Sequence, residues 1–524
     1  MIKSSEAYKS AVMGDARRVY IRAIVKIFDP DIVYATPTGS PQAEYSTPEQ
    51  LHDHNFDEDD NFQTFEFNRV ILDKSSQLLR DGEAVTQQVG YITDALSNAD
   101  GVFASPQVIT QGFSNVDVLQ SVSVRFPGTA IDGVARDFTI SIMSGSTAVQ
   151  TFSITGNDSA MVRVDDFTVE NPTAISVSIT RWSLPYRRAR MVEIFPGIYE
   201  EWKNRDVAAL TVRQQANFAS LALPYGRCTL TVDNSDRRFE PANKEGVFRS
   251  IEDRQGIDIQ LGVRLPNGSI EYKGVGRFFQ YSGGWRTGNN GLTIQWDMVD
   301  IIGLLADRQY IAPTTLPATL SGWIASIVRQ LGSNFDGFYI VDDSLASASV
   351  TVSDKSEISG MTCGEMLRHV CMAAGGWAHA DAQTGKLAVT PLENAGRTIT
   401  LDNAETYPTI KANADLAAIV FVLPDGTQYV VAGDAPSSNN TPFVSNPFVK
   451  TAAAAESAAS VIKQSYGGNI FEVVWRGDPA SELGDVDVIE VGGGRAATGR
   501  VQSQTFQFSG GVLRSCQTSM IEVT

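Results

Sequence analysis

The chain has 524 residues, a formal net charge of -18, and 43% hydrophobic and 19% charged residues. This length exceeds what one hydrophobic core supports and predicts several domains. The acidic balance argues against tight nucleic-acid binding, which depends on Lys and Arg neutralising phosphates. No apolar run approaches the ~20 residues of a membrane-spanning helix. Residues 1–6 lack the apolar segment of a signal peptide, so we expect cytoplasmic synthesis without secretion.

The cysteines are spaced neither as a Cys-x-x-Cys zinc knuckle nor as a disulfide framework. We expect Cys228, Cys363, Cys371 and Cys516 to be buried free thiols. The sequence predicts no cofactor.

The N-terminal region reads as part of a β domain that is interrupted early. Residues 16–34 predict a long strand or strand pair ending at the Asp29-Pro30-Asp31 turn. Residues 35–61 are rich in Pro, Thr, Gln and Asp, which is typical of a linker. We therefore place the first part of β domain I in residues 1–45, and a linker with an inserted module in residues 46–197.

Short alternating strands separated by turn residues predict a β-sandwich for this insert. The predicted strands are Val116–Phe126, Asp137–Met143, Ala148–Thr155, Met161–Val164, Ala174–Trp182 and Arg190–Phe195. The order of Val122–Phe126, Asn171-Pro172 and Arg188–Ile194 resembles the galactose-binding-like, or discoidin-like, jelly roll. That resemblance implies possible contact with host-surface glycans.

The rest of the chain predicts three further blocks. Strands resume over residues 198–312 and complete β domain I. Residues 313–400 predict an α+β domain, because Leu320–Leu331 and Thr362–Ala374 carry apolar residues on one helical face. Residues 401–524 predict a second β domain with an Ala-rich helix, Lys450–Tyr466. The two β domains show no sequence repeat but can still be alike in structure.

The stretch Cys228–Pro241 predicts a strand that runs into a polar turn and is closed by an aromatic residue and a proline. The turn residues singled out are Asp233, Asn234, Asp236, Arg237, Arg238, Phe239 and Pro241. A second turn, Gly477-Asp478-Pro479, continues to Asp485, and its glycine and Asp-Pro pair fit left-handed and fixed backbone angles.

Both turns, together with the N-terminal stretch from Ser5–Lys9 to Arg17–Val19, resemble signatures of the tail hub proteins of long-tailed bacteriophages and prophages. The second turn departs slightly from the family spacing. The resemblance implies a structural, non-enzymatic homotrimer with two β-barrels per chain. In that family the resulting ring of six barrels joins a sixfold tail tube to a threefold tip.

The same resemblance implies a place at the virion tail tip and passage of DNA through the ring. The implied partners are the distal tail protein, the tail tube or tape measure, and tip or fibre proteins.

His52-Asp53-His54 and the acidic run Asp57–Asp60 could in principle ligate zinc or calcium. Their spacing matches neither standard site, and no glycine lies between His52 and Asp60. We interpret them as a solvated acidic linker and predict no metal, although related jelly rolls hold a structural calcium near their start.

Enzymatic chemistry has little support in the sequence. The serine hydrolase elbow Gly-x-Ser-x-Gly does not occur. We expect His369 on the polar side of its helix and His379 near Asp381; each could belong to an acid–base pair or be structural. The glycine clusters Gly283-Gly284, Gly492–Gly494 and Gly510-Gly511 predict hairpin turns or bulges. We predict no catalytic residue.

The predicted fold class is therefore multidomain and mainly β, with two hub-type β-barrels, one α+β domain and an inserted β-sandwich. The predicted function is that of a tail or baseplate hub. One alternative is a carbohydrate-binding receptor protein that works through the jelly roll. Another is a cell-wall hydrolase. The host, the tail type and the sugar stay open.

Overall fold

A computed structural model describes residues 2–14, 17–28, 32–53, 62–63, 77–78, 89–127, 131–164, 167–216, 223–237, 256–332, 335–392, 396–423, 425–434 and 437–523. The chain divides into two compact units. The main unit comprises Met1–Val25 and Glu201–Thr524, and the inserted unit comprises Lys26–Glu200. The strands form several sheets, which confirms the prediction of a mainly β chain.

The main unit begins with helix α1 (Glu6–Met13) and strand β1 (Val19–Phe28). Ser5 starts the helix because its Oγ accepts the amide of Tyr8 at 3.0 Å, which satisfies one of the unpaired N–H groups of the first turn.

In its described residues, the inserted unit holds the next fifteen strands and one 3-10 turn, Pro48–His52. The strands are β2 (Val33–Tyr34), β3 (Thr38–Gly39), β4 (Phe62–Gln63), β5 (Gln77–Leu78), β6 (Tyr91–Leu96), β7 (Val102–Ser114), β8 (Val118–Leu119), β9 (Val122–Arg125), β10 (Ala135–Ser144), β11 (Thr147–Ile154), β12 (Met161–Val164), β13 (Val169–Glu170), β14 (Ala174–Trp182), β15 (Arg188–Met191) and β16 (Glu193–Phe195).

The core of the inserted unit lies between two sheets. The larger has the order β11-β10-β14-β7-β2, and a smaller one has the order β12-β9-β16. Ile140 and Val177 from the larger sheet share one buried cluster with Val124 and Ile194 from the smaller. The single strand predicted at 116–126 is wrong, because the chain changes sheets there: β8 pairs with β13, and β9 with β12 and β16.

The main unit resumes with strands and helices that alternate along the chain. They are β17 (Gly197–Lys203), β18 (Val207–Gln215), β19 (Arg227–Asp233), β20 (Gly256–Arg264), β21 (Ile270–Gly288), β22 (Thr293–Val299), α2 (Ile301–Ala306), α3 (Leu320–Val328), β23 (Tyr339–Val341), α4 (Asp343–Ala346), α5 (Cys363–Ala374), β24 (Trp377–Ala380) and β25 (Leu387–Thr390). The C-terminal part holds β26 (Thr398–Ile399), β27 (Thr409–Ala412), β28 (Ala418–Val422), β29 (Gln428–Ala432), β30 (Phe443–Ser445), α6 (Ala452–Lys463), β31 (Asn469–Trp475), β32 (Val486–Gly492), β33 (Arg495–Ser509) and β34 (Val512–Glu522).

One 13-stranded sheet runs through the main unit. We call β1 and β17–β22 the first β module, and β26, β27 and β31–β34 the second β module. The modules meet where β18 pairs antiparallel with β33, from Ala209 opposite Ser509 to Gln215 opposite Ser503. This pairing is the only strand ladder between the modules among the described residues.

The two modules repeat the same strand order. In the first, the neighbours run β20-β21-β22-β19-β18, and in the second β32-β33-β34-β31-β27. In both modules the strands at corresponding places of the sheet also follow one another in the same order along the chain. Every pairing between neighbours in the two sets is antiparallel. Strand β26 breaks the likeness, because it pairs parallel to β32, whereas β1 pairs antiparallel to β20.

Two smaller cores accompany the sheet. Helices α3 and α5 bury Trp323, Ile324 and Leu367 in a cluster that includes Val389 of β25. Helix α6 packs its alanine-rich face against the β29-β28-β30 sheet, burying Ala455, Ala459 and Phe421. No helix among the described residues has the length and apolarity needed to cross a bilayer.

The predicted glycine turns are confirmed. Gly510 and Gly511 form the β33–β34 hairpin with positive φ angles, and a register irregularity between Gln280 and Trp285 spans Gly283-Gly284.

Candidate functional site, a buried polar junction

The two turns singled out in the sequence occupy equivalent places in the repeated strand order. The Asp233 turn follows β19, and the Gly477 turn follows β31. These two strands correspond in the two modules. Each turn is therefore the exit from the same strand of the repeat.

The Asp233 turn fastens onto the β21–β22 hairpin. Asn234 is fully buried, its amide donates to the carbonyl of Leu292 at 2.8 Å, and its Nδ2 donates to the carbonyl of Gly291 at 3.0 Å. Arg237 takes a left-handed φ of 58° and donates to the carbonyl of Asn290 at 3.2 Å. Asp233 and Asp236 are exposed. Arg238, Phe239 and Pro241 lie outside the described residues.

The Gly477 turn is more deeply buried. Gly477 has φ of 71°, and an added Cβ would approach that of Cys516 to 2.5 Å, so both conformation and space require glycine. Asp478 is only 6% exposed. Its Oδ1 accepts the hydroxyl of Tyr8 at 3.0 Å and the amide of Ala480 at 2.8 Å, and its Oδ2 pairs with Arg397.

Arg397 holds several oxygens of this turn from the segment before β26. Its Nη2 donates to the carbonyl of Ala480 at 2.7 Å and lies 3.8 Å from Asp485 Oδ2. Its backbone amide donates to Asp487 Oδ1 at 3.0 Å. A planar guanidinium suits this task because its donors point at several acceptors at once.

The N-terminal segment completes the junction. Tyr8 is 1% exposed on α1, and burial, followed by the charge of Asp478, raises the pKa of its phenol well above the ordinary value. The guanidinium of Arg17 donates to the carbonyls of Gly477 and Arg476, and Arg476 donates back to the carbonyl of Gly14 at 3.0 Å. Tyr8, Gly14 and Arg17 are thereby hydrogen-bonded to the second β module.

The same segment is also fastened to the first β module. Lys273 of β21 donates to the carbonyl of Lys3 at 2.5 Å and pairs with Glu271 at 2.7 Å. The amide of Ser5 donates to Glu271 at 3.1 Å, and the Lys273 ammonium lies 5.1 Å from the centre of the Tyr8 ring. We call the set Tyr8, Arg17, Lys273, Arg397 and Asp478 the clamp.

The clamp is a structural site. Its carboxylate is enclosed, and its hydrogen bonds join segments about 460 residues apart in the chain, such as Tyr8 and Asp478 with a separation of 470. The sequence pointed to Tyr8, Arg17 and Asp478 through the three quoted stretches. It gave no signal for Arg397 or Lys273, because nothing in their local patterns marks a long-range partner.

Of the two histidines in the α+β region, His369 is buried and His379 is half-buried. The prediction that His369 lies on the polar side of its helix is wrong: it is 6% exposed, and its Nε2 lies 3.1 Å from Arg368. Burial, with the charge of Arg368, lowers the pKa of His369 to about 4. His379 stacks on Trp377 with ring centres 4.2 Å apart, and burial lowers its pKa to about 4. Both are neutral near pH 7.

His379 lines a cleft that also contains Arg277 and Asp300. Asp300 caps α2, and its carboxylate accepts the amides of Gly226 at 2.5 Å and Gly303 at 2.9 Å. Burial raises the pKa of Asp300 to about 6. Because backbone amides already occupy this carboxylate, it serves the fold.

The remaining candidate residues from the sequence are the cysteines and the His52–Asp60 segment. All four cysteines are free and buried, as predicted. His52 contacts Gln111 at 3.0 Å and stacks on Tyr34 at 4.9 Å. His54 and Asp57–Asp60 lie outside the described residues. Within the described part of the chain, no group of three or more His, Cys, Asp or Glu side chains is arranged to hold a metal.

Comparisons with solved structures return several tail proteins, all at low identity. No family model and no curated protein matches it. A tail protein of Neisseria meningitidis MC58 is 12% identical with a TM-score of 0.42, over 62% of this chain and 94% of that one. The 43 kDa tail protein of prophage MuSo2 from Shewanella oneidensis is 16% identical with a TM-score of 0.41, over 62% and 96%. A prophage tail protein from Listeria monocytogenes EGD-e is 8% identical with a TM-score of 0.38, over 62% and 91%.

Removing the Tyr8 hydroxyl tests the clamp. In Tyr8→Phe the buried Asp478 loses one hydrogen bond, so we expect the free energy of unfolding to fall by about 1–3 kcal/mol. Chemical denaturation measures it. Tyr429→Phe, which removes a surface hydrogen bond to Glu456, is the matched control and should change little. Equal stability of Tyr8→Phe and the wild type would contradict the clamp.

Asp487 provides a pH test of the same junction. Burial raises its pKa to about 6, above the ordinary value near 3.8. The protonated form is thus favoured on folding, and its contribution to stability is full below about pH 4 and lost as the pH rises through about 6. Asp487→Asn stays neutral and can still accept the Arg397 amide.

We therefore expect Asp487→Asn to raise the free energy of unfolding by about 1–3 kcal/mol at pH 7.5, with the gain falling below about 0.5 kcal/mol near pH 3.5. Denaturation of the variant and the wild type at both pH values gives the difference in their free energies of unfolding. The pH dependence that other titrating groups contribute is the same in both proteins and cancels in this difference. The exposed Asp402→Asn should change the value by less than about 0.5 kcal/mol at either pH. A gain for Asp487→Asn that grows at low pH would show the opposite sign and refute the assignment.

Proposed function

We propose that this protein is a structural hub of a phage-type tail, which forms a trimeric ring that closes the tail tube. The observation that carries the proposal is the repeat of the two β modules and their edge-to-edge ladder between β18 and β33. Two like modules per chain turn a threefold assembly into a sixfold set of modules. This is the geometry needed to join a sixfold tube to a threefold tip.

The clamp supports the same role. A ring that transmits force through its modules requires that the two modules of each chain keep one orientation. Tyr8, Arg397 and Asp478 are buried and hydrogen-bonded, and Lys273 holds the same N-terminal segment from the first module. Buried networks in which the charged groups are paired make alternative arrangements costly.

The proposed partners are the distal tail protein, the tail tube or tape measure, and tip or fibre proteins, with the chain placed at the virion tail tip. DNA passes through the ring in this function. A net charge of -18 agrees with a channel wall that does not retain phosphates, since tight binding depends on Lys and Arg.

The assembly state is the direct test. We expect native mass measurement of the protein, or of tails that contain it, to give three copies, because two modules per chain make six only in a trimer. A reconstruction of the ring should show a channel lined by acidic or neutral side chains. A single copy within intact tails contradicts the hub, and a channel lined by Lys and Arg contradicts DNA passage.

We further propose that the inserted unit is the galactose-binding-like jelly roll and that it contacts host-surface glycans. Its support is the two-sheet core and the resemblance in strand order. A chain lacking residues 29–196 should keep the trimer and the clamp, because the described clusters of the inserted unit contain no residue of the main unit. Insoluble protein would show that the unit is integral to the main core.

The glycan partner has its own measurement. The full chain should bind members of a glycan array, and the chain lacking residues 29–196 should not. Equal binding by the two chains would show that the glycan site lies outside the inserted unit. Binding by neither would contradict the glycan proposal but not the proposed hub function.

A further inference from the structure

Strand β33 shows how one β module joins the next. Strand β34 pairs with β33 from Gly499 to Ser509 and so occupies one of its edges. The opposite edge is shared: β32 pairs with its first part, up to Arg500, and β18 pairs with its second part, from Ser503 to Ser509. The second half of β33 is thus the acceptor for a strand from the other module.

Strand β21 is the counterpart of β33 in the first module. Strand β22 pairs with its second half as far as Gly288, and β20 pairs along the opposite edge only as far as Phe279. No described strand occupies that opposite edge from Arg286 to Gly288. All three of these residues are exposed. The acceptor position that β18 fills on β33 is therefore open on β21 within the described structure.

Strand β27 is the counterpart of β18, and it is also open. It pairs with β31 along one edge and ends the sheet, with no described strand on its other edge. All four of its residues are exposed, Ile410 to 51%, and the preceding Tyr407 is 75% exposed. An exposed edge with apolar side chains is a template for pairing with another strand.

We propose that β27 of one copy pairs with the open edge of β21 in the next copy, which repeats between chains the ladder that β18 and β33 form within one chain. The proposal rests on the proposed hub function and names its interface between copies. The donor and acceptor edges differ, so the contact is head-to-tail and closes into a ring rather than a twofold dimer.

The internal repeat also gives the register. Val212 pairs with Cys228 and lies opposite Phe506 in the intrachain ladder. Matching the buried alternation of β19, which starts at Cys228, with that of β31, which starts at Phe471, aligns these two residues. Phe471 pairs with Ile410, so Ile410 corresponds to Val212. By the same steps Thr287, which pairs with the buried Ile294, corresponds to Phe506, which pairs with the buried Cys516. Ile410 is thus expected opposite Thr287.

This register also balances charge. It places Lys411 opposite Arg286. Lys411 pairs with Glu472 at 2.6 Å, and Arg286 pairs with Asp297 at 2.9 Å. Each cation is therefore already paired with a carboxylate of its own chain. The proposed ladder would place two positive and two negative charges close together, which offsets the repulsion between the two cations.

Cysteine pairing tests the contact and its polarity. The four native thiols are buried, so introduced surface cysteines are the reactive ones. A chain with Thr287→Cys is mixed with a differently tagged chain with Ile410→Cys, and the mixture is oxidised. We expect a disulfide-linked heterodimer in the mixture and only single chains when either variant is oxidised alone. A mixture of Thr287→Cys with Ile311→Cys is the control, since Ile311 is 71% exposed and lies on neither edge.

Absence of the heterodimer overturns the proposed contact. So does a disulfide-linked homodimer of either variant alone, because that would indicate a twofold contact. A faster-migrating single chain from a double variant, with no linked pair, would place the two positions together within one copy and overturn it as well.

A second variant measures the contribution of the edge. Ile410→Glu places a charge in the proposed ladder but is exposed in the single copy, so its thermal unfolding should match the wild type at dilutions where both are single copies. We expect its trimer to dissociate at least about tenfold more readily by native mass measurement, whereas Ile311→Glu keeps the trimer. A trimer unchanged by Ile410→Glu refutes this interface and leaves the hub function standing. A wild-type single copy within intact tails refutes the hub function itself.

Discussion

The buried carboxylate of Asp478 is the constraint on which the arrangement of the main unit depends. A charge removed from water costs several kcal/mol unless it is paired and hydrogen-bonded. Here Arg397 supplies the positive charge, and Tyr8 and the Ala480 amide supply hydrogen bonds. Two of these partners lie far away in sequence, so satisfying Asp478 requires the N-terminal helix and the entry to the second module to be in place. Removing one partner would leave a buried charge without its full set of partners, which is strongly destabilising.

The equivalent turn of the first module, after β19, buries a neutral side chain instead of a carboxylate. Asn234 is neutral, and its backbone amide and Nδ2 donate to carbonyls of the neighbouring hairpin. The first turn therefore fixes local structure, while the second joins distant segments. Both sit at the exit of the same strand of the repeat, so one topological position serves a local role in one module and a long-range role in the other.

The sequence predicts much of this fold and less of its site. Period-two alternation at Leu230 and Val232 and helical spacing at Ile324 and Ile327 are local signals, and they gave the strands and helices. The break between β8 and β9 was missed, because pairing with different sheets leaves no local mark. His369 was placed on the wrong face, since its neighbours across α5 come from segments that helical periodicity does not reveal. Arg397 and Lys273 were missed for the same reason: their partners are set by tertiary contacts.

Under the proposed pairing between copies, the repeat of the modules accounts for the open edges of β21 and β27 in the described structure. If β18 and β33 complete one another within the chain, the corresponding β27 and β21 are complete only in the presence of another copy. An isolated chain then keeps an exposed strand edge that bears Ile410. Because β27 is only four residues long, this edge carries a limited risk of aggregation. A short edge limits non-specific pairing. In the proposed closed ring the same contact occurs at every junction between copies, so its contribution to the stability of the assembly is multiplied. In the proposed ring, the same shortness that limits pairing of the single chain makes assembly depend on all of the contacts forming together.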